Sequence, residues 1–433
     1  MLPELTVPAG LDEVLQACRA AFTAPTFRTF AALVTGYLGA TGRRTVTGMW
    51  VAAGLAGRRH HSRGHRFFSH AKWCPDMLGL ALARMVLAIF ASGGMPVQIV
   101  IDDTLFPRYG RKVHAAFWQH DGSARSRDGI GRGNCFVICG IACEVPFVGR
   151  EVFFPLLFRL YRPKRGPSKP ELAHQMVKAL TAAWHPRRMH VIADAAYRSQ
   201  LWRTLPATVS FTTRLPANAT LWAPAPPPTG KRGRPRTKGA RLGNPADLAK
   251  AACWQQVTID YYGKTHTVHL ALITCLWYGS LGKVPVHVIL VRAEGSTKTY
   301  DIALVTTDLH ATAEQIVLRY AARWSIEQAI KDGKGLLGAG DAENRLPNAV
   351  ARTVPFTMLC QSVLICWYAR AGTATTDITE HRNRRPWYTT KRHASLDDML
   401  IAFRRARITI ISPAHDTRPQ TPIEAMTCTR AAA

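Results

Sequence analysis

The sequence predicts a mixed α/β protein with an N-terminal helical domain, a mixed-sheet core and a β-rich insertion ahead of the core's last helix. Three observations predict it. Residues 1–95 carry helical spacing, as in LDEVLQACRAAF and FRTFAALVTGYLGA. From 96 onward, short apolar runs bounded by turn residues take over. Residues 253–308 then hold about four strands, with turns at YYGKTH and AEGSTKT, and a helix follows at about 312–332.

The elements follow in order. GRRTVTGMWVAAGLAGRRHHSRGHRFFSHAKW interleaves Arg and His with Trp and Phe. Short helices with basic faces and Gly turns are similar to a helix-turn-helix DNA module. The competing reading is a plain helical domain with a solvated basic edge. PVQIVIDD is an apolar strand ending in Asp102 and Asp103, and NCFVICGIACEV and REVFFPLLFRLY are two more. Ser168 and Glu171 have the spacing of a capping box that starts a helix to about Trp184. MHVIADAAY is a strand ending in Asp194, with a helix near 196–205 and a fifth strand in ATVSFTTRL. The order is β-β-β-α-β-α-β.

WAPAPPPTGKRGRPRTKGARLGNPADLAK is dominated by Pro, Gly and Lys/Arg, and is expected to be a linker. The expected organisation is a helical DNA-binding domain (1–95), a first core part (96–215), the linker and insertion (216–308), a second core part with the helix (309–370) and a basic C-terminal region (371–433). One short helix near 396–406, capped by Ser395, is expected in the last of these.

The chain of 433 residues carries a formal charge of +28. Self-repulsion on that scale is costly unless a polyanion offsets it, and nucleic acid is the natural partner. The basic residues run along the whole chain, unlike a single membrane-surface helix. The apolar runs 77–90 and 354–368 are shorter than a membrane span and are expected to be buried helices. The opening MLPELTVPAGLDEV is acidic and lacks the apolar core of a secretory signal, so a cytoplasmic location is expected. Cys135, Cys139 and Cys143 are evenly spaced, but no CxxC pair occurs, and strand alternation makes them small hydrophobes on one face. No Walker loop is present, so nucleotide chemistry has no support from one.

Asp102 and Asp194 each stand where an apolar strand stops. On adjacent parallel strands both carboxylates would emerge at the edge where open α/β sheets receive ligands. Glu327, from the later helix, is a candidate third acid. Three carboxylates repel unless a hard divalent ion lies among them, and two such ions about 3.5–4 Å apart can drive phosphodiester cleavage. The competing reading is that such Asp residues merely cap turns. Asp308, in LVTTDL, is a rival third acid, but it ends a strand and lacks the cationic helix.

RYAARWSIEQAIKDGKG reads as one helix, with Glu327 between Arg323 and Lys331. Tyr320, Arg323, Glu327 and Lys334 fall on one face. That face has too few acids for an ion-pair ladder. Arg suits bidentate phosphate contact and Lys supplies a point charge. Trp324 is either a base-stacking surface or a core residue. Arg232 and Arg234, in KRGRPRTKG, resemble a minor-groove hook, with a soluble basic linker as the alternative. His114, His120 and His190 are expected in the core or on phosphates, since imidazole suits Mg2+ poorly.

Tyr320-x2-Arg323-x3-Glu327-x6-Lys334 resembles the signature helix of the DDE transposases of bacterial insertion sequences, in the insertion-sequence-four group and its seven-hundred-and-one branch. IDDTLFPRYG resembles the first-Asp motif, in which the acid precedes a Thr by two positions; that selects Asp102 over Asp103. IADAAYRS resembles the second-Asp motif and gives Asp194. The resemblance covers roughly residues 96–370. It implies an RNase H-like core interrupted by a β-rich insertion, which the gaps 194 − 102 = 92 and 327 − 194 = 133 accommodate. It further implies two Mg2+ ions (Mn2+ as substitute) held by Asp102, Asp194 and Glu327. The expected chemistry is nicking at transposon ends followed by attack of the new 3′-hydroxyl on target DNA. The expected partners are terminal inverted repeats, target DNA and a second copy in a homodimer, with no membrane. The stretch 223–243 departs from the family pattern. The rival functions are a non-catalytic DNA-binding regulator derived from such an enzyme, and a nuclease of the same fold that cuts without joining.

Overall fold

The computed structural model describes residues 5–91, 93–121, 129–227, 235–261 and 264–411. Helices α1 (Leu11–Ala17), α2 (Ala24–Gly39), α3 (Val46–Ala52), α4 (Ser62–Ser69) and α5 (Pro75–Phe90) open the chain. Strands β1 (Val97–Pro107), β2 (Phe117–His120), β3 (Ile130–Val145) and β4 (Arg150–Tyr161) lead to helix α6 (Lys169–Trp184). Then come β5 (Met189–Ala193), β6 (Val209–Arg214), β7 (Leu221–Trp222), β8 (Arg241–Gly243) and helix α7 (Pro245–Ala251). Strands β9 (Gln255–Tyr261) and β10 (Lys264–Leu276), helix α8 (Tyr278–Leu281), and strands β11 (Pro285–Ala293) and β12 (Ile302–Thr306) follow. Helices α9 (Ala313–Ala322), α10 (Trp324–Gly335), α11 (Pro347–Ala371), α12 (Ala374–Arg384) and α13 (Leu396–Ile411) complete the described chain.

Several expectations hold in detail. The capping box of α6 forms, with Ser168 N–H donating to Glu171 Oε2 at 2.7 Å. Ser395 caps α13 by accepting from Asp398 N–H at 3.4 Å, although that helix runs to Ile411, longer than expected. The helix expected near 196–205 is instead two 3-10 turns, Ala195–Tyr197 and Gln200–Thr204, each begun by a side-chain cap. Helix α12 was not foreseen: its sequence ATTDITEHRNR is polar and shows little apolar stripe.

The chain divides into two compact units. Gly94–Asp102 and Arg165–Ile326 form one; Met1–Gly93, Asp103–Lys164 and Glu327–Ala433 form the other. In the first, β1 pairs in parallel with β5, from Val97 opposite Met189 to Ile101 opposite Ala193. β5 pairs in parallel with β6, and β12 closes antiparallel on β6. β11, β10 and β9 then add in antiparallel order. The strands of 253–308 therefore extend the sheet that carries β5. Helix α9 buries Ile316 and Val317 against Ile259, Val268, Leu270, Ile289, Val291 and Leu304, and the ring of Tyr320 packs at the rim of this core. The spacing of positions 316, 317 and 320 is what puts them on one helical face.

In the other unit, β3 pairs antiparallel with β4 and β2. Helix α11 packs on β4, α5 and α13. It is long and apolar enough to cross a membrane, but 83% of its most apolar window is buried, as a core helix requires. Helix α10 meets α11 at Gly333, where a Cβ would stand 2.5 Å from Met358 Sδ, so the close approach depends on glycine. The Trp and Phe residues interleaved with the N-terminal basic stretch face inward: Trp50, Phe67, Phe68 and Trp73 are buried, with Phe67 stacked on Trp73 at 4.7 Å. Arg58, Arg63 and Arg66 stay exposed, so the basic and aromatic residues sort onto different faces. Cys135 and Cys139 are buried free thiols and Cys143 is half-buried; burial pushes the Cys143 thiol up to about 12, which keeps it protonated and inert.

Candidate active site

Strand register positions the two aspartates. Ile101 and Ala193 are the last partners of the parallel β1–β5 pair, and Asp102 and Asp194 are the next residues in the chain. Asp194 stands just past the end of β5, whereas β1 runs on to Pro107 instead of ending at Asp102 and Asp103 as expected. Parallel neighbours lie about 4.8 Å apart, so both acids leave the same carboxyl edge side by side. Neither is deeply buried. Asp194 also caps the turn that follows, its Oδ1 accepting from Ala195 N–H at 2.6 Å. The capping role and a ligand-facing role share one carboxylate, which has a second oxygen.

Arg323 and Tyr320 belong to the same unit as these acids. Arg323 Nη1 donates to Asp102 Oδ2 at 3.0 Å, with both side chains about one-fifth exposed (18% and 23%). The Arg323 guanidinium lies 5.9 Å from the Tyr320 ring centroid. Burial pushes the Tyr320 phenol above its ordinary value; Arg323 opposes this, Asp194's charge adds to it, and Arg214 opposes it. Asp102, Asp194, Tyr320, Arg323 and Arg214 thus act on one another electrostatically. Arg214, at the end of β6, was not anticipated. It ends the strand SFTTR one residue past Thr213, the sheet partner of Ala193, and only that long-range pairing brings it towards Asp194.

The signature segment is not one helix. It breaks at Arg323, which accepts from Ile326 N–H at 3.1 Å while its own N–H donates to Tyr320 O at 3.1 Å. These are i→i+3 bonds, tighter than the α-helical spacing. Glu327 stands in the first turn of α10, half-buried, as the first residue of the unit that does not contain the aspartates. Lys331 is exposed on the same helix. Lys334 is half-buried and donates to Thr104 Oγ1 at 2.7 Å and to Leu105 O at 2.9 Å, and burial lowers its pKa. Two of its three N–H donors are therefore committed to β1. Thr104 is the threonine of the first-Asp motif, so the two motifs meet in space. Trp324 is 50% exposed and is not a core residue. Arg232 and Arg234 lie outside the described residues.

The rival acid is placed elsewhere. Asp308 lies at the opposite edge of the sheet, near Met189, Thr208 and Ser210. It accepts from Arg319 Nη1 at 2.7 Å and lies 4.0 Å from His190, which is fully buried and so a core residue. His114 is half-buried and His120 exposed, each in the other unit.

Arg323 supplies a first test. Arg323→Lys keeps the charge but loses the planar fork that donates to Asp102. Strand cleavage is expected to fall about tenfold while stability to denaturant changes by less than ~1 kcal/mol. A large loss of stability with cleavage unchanged would make Arg323 a structural ion pair.

A polycationic α/β protein that offers carboxylates where an open sheet receives its ligand belongs among enzymes that act on nucleic acid. The family described as DDE superfamily endonuclease matches residues 18–280. The chain belongs to that family, a group of nuclease- and transposase-type enzymes that act on DNA and generally use divalent metals. The match contains Asp102 and Asp194, and Glu327 lies beyond it. No curated protein sequence matches the chain.

The donor set fits a hard divalent cation: carboxylate oxygens from neighbouring parallel strands at the level where β5 ends, neither deeply buried. Among the described residues, no group of three or more His, Cys, Asp or Glu side chains is gathered to hold a metal ion. Asp102 is engaged by Arg323, and Asp194 by the Ala195 N–H.

Proposed function

We propose that the chain is a DNA transposase that cuts and joins transposon-end DNA, with Asp102, Asp194 and Glu327 as its catalytic acids. The observation that carries this reading is the placement of Asp102 and Asp194 one residue beyond a shared parallel register, with Arg323 and Tyr320 set against them. The finer assignment follows the Tyr-Arg-Glu-Lys spacing: an enzyme of the insertion-sequence-four group, seven-hundred-and-one branch, with an RNase H-like core into which β9–β12 are inserted.

Asp102 and Asp194, joined by Glu327, would hold two Mg2+ ions, with Mn2+ as a substitute. Such ions, when bound, polarise the attacking oxygen and offset charge on the leaving oxygen of a phosphodiester. The protein's own groups do the positioning. Arg323 neutralises and orients a phosphate, the Tyr320 hydroxyl donates to one, and Lys331, exposed on α10, adds a further point charge. Water first displaces the 3′-oxygen of a strand, leaving a 3′-hydroxyl and a 5′-phosphate. That hydroxyl then displaces a 3′-oxygen in target DNA, so one phosphodiester forms as one breaks. The exposed Arg58, Arg63 and Arg66 face would grip terminal inverted repeats, in a homodimer on paired ends in a bacterial cytoplasm.

The test is cleavage of a labelled duplex bearing the element's ends, with and without Mg2+, followed by joining of pre-nicked ends to a target plasmid. Metal-dependent nicking plus joining is expected. Nicking without joining would leave a nuclease, the activity that the family description itself names. Binding without nicking would leave a DNA-binding regulator.

The net charge of +28 gives a further expected result. With six or more phosphates neutralised, affinity for duplex DNA should fall about 10³-fold or more between roughly 50 and 200 mM salt. A flat plot of log affinity against log salt would contradict the assignment of duplex DNA as substrate.

A further inference from the structure

Within the unit that holds α10 and α11, a cleft of about 910 Å³ opens beside the loop that follows β1. That volume lies in the range of clefts that enclose small ligands or parts of larger ones, roughly 300–1,000 Å³. Arg43, Arg108, Arg111, Lys112 and Arg345 line it, together with Tyr109. Its two acids, Asp341 and Glu343, are outnumbered, and Glu343 is already paired with Arg43.

Two features mark it as built for a ligand. Arg108 is only 6% exposed, yet it lines the cleft. Its Nε donates to Asn134 Oδ1 at 2.9 Å, and its Nη1 to the carbonyls of Gly340 and Ala342 at 2.5 and 2.7 Å. Its Nη2 has no hydrogen-bond partner among the described residues. That Nη2 is buried as well as unpartnered, so the guanidinium is a fixed positive charge in the cleft wall. Tyr109, the next residue, is 95% exposed, so a large aromatic face is offered to solvent beside that charge.

We propose that this cleft binds a single-stranded segment of nucleic acid, its phosphates on Arg111, Lys112 and Arg345, with the charge of Arg108 behind them, and one unstacked base on the ring of Tyr109. The pairing of a cationic track with an exposed aromatic face is the chemistry of single-strand binding. A duplex keeps its base faces stacked inside and has none to give Tyr109. Asp341 and Glu343 repel a backbone but accept hydrogen bonds from base amino groups, which favours a strand with its base edges turned inward. The inference deepens the reading of the protein as a DNA-processing enzyme and rests on it. It adds a substrate form, the unpaired strand, to the duplex ends.

The test measures binding of a labelled 12-nucleotide single strand, and of a duplex of the same sequence, by fluorescence anisotropy on the full chain. Tyr109→Ala is expected to weaken single-strand binding about tenfold, Tyr109→Phe to restore it, and the double change Arg111→Ala/Lys112→Ala to weaken it further. Duplex binding by each variant should stay within about twofold of the parent, which also shows that the variants are folded. Unchanged single-strand affinity in the Tyr109→Ala variant overturns the proposal. So does a parallel loss of duplex binding, which would make the cleft a general cationic surface. Displacement of the strand by an equimolar mononucleotide would assign the cleft to a free nucleotide and overturn it as well. Absence of metal-dependent cleavage, with the single-strand effects intact, would remove the transposase reading and leave the cleft assignment standing.

Discussion

Asp194→Asn and Asp102→Asn are each expected to reduce strand cleavage by about 10³-fold or more while DNA binding stays within a few-fold of the parent. The amide keeps the shape, and at position 194 it still accepts the Ala195 N–H bond that caps the turn. It loses the negative charge a divalent cation needs. Asp102→Asn also leaves an oxygen acceptor for Arg323, so the fold should persist. Glu327→Gln should behave in the same way if that residue completes the set. The measurement is nicking of a labelled end under single-turnover conditions, beside an affinity titration. Full cleavage by any one variant would remove that residue from the catalytic set. Because Asp194 visibly caps a turn, the bland alternative is concrete here: a purely capping Asp194 would give an Asn variant with nearly normal cleavage.

The second large effect expected is on stability, at the opposite edge of the same sheet. Asp308 and Arg319 form a pair only 8% and 13% exposed. Asp308→Ala leaves Arg319 charged without its partner and should cost ~3–5 kcal/mol. Cleavage per folded molecule should survive, which separates this acid from Asp194. His190 adds a pH dependence. Burial, reinforced by the charge of Arg319 and opposed by Asp308, lowers its pKa to about 3, while Ser210 and Thr212 hold the neutral ring at 2.6 and 2.9 Å. The unfolded chain gains a proton near pH 6.5 that the folded one refuses until about 3. Stability is therefore complete above pH 6.5 and falls on acidification, by at most ~1.4 kcal/mol per pH unit. Asp308, whose own pKa is depressed by Arg319 and the His310 N–H against the cost of burial, loses its contribution in the same direction at lower pH. Denaturant titrations between pH 7 and 4 measure the slope. His190→Gln should flatten it, and an unchanged slope would assign the acid sensitivity elsewhere.

What the sequence shows of this molecule divides along the range of the interaction. Asp102 was placed at a strand end, but β1 carries on to Pro107 because TLFP keeps extending it. Asp194 was legible because an apolar strand announces itself locally and its end is countable. The same holds for the Ser168 cap and for β9–β12, whose turns are written in Gly and charged residues. The break at Arg323 was not legible, because RYAARWSIEQ has unbroken helical composition and contains no Gly or Pro. Arg108 was not singled out at all. Its burial depends on carbonyls at 340 and 342, which no local pattern announces. Trp324 is a large apolar residue between Arg323 and Ser325, and half its surface is bare. The parallel register of β1 with β5, across a gap of 92 residues (194 − 102), could only be posed as a condition and is set by pairing that only the fold reveals.

The bond between Lys334 and Thr104 gives two distant pieces of text a common mechanical meaning. A threonine two positions past an aspartate and a lysine seven positions past a glutamate are the halves of one rivet, fastened across 230 residues of chain. Anchored in this way, Lys334 fastens α10 to β1 before it carries any substrate, and loosening either half would release both.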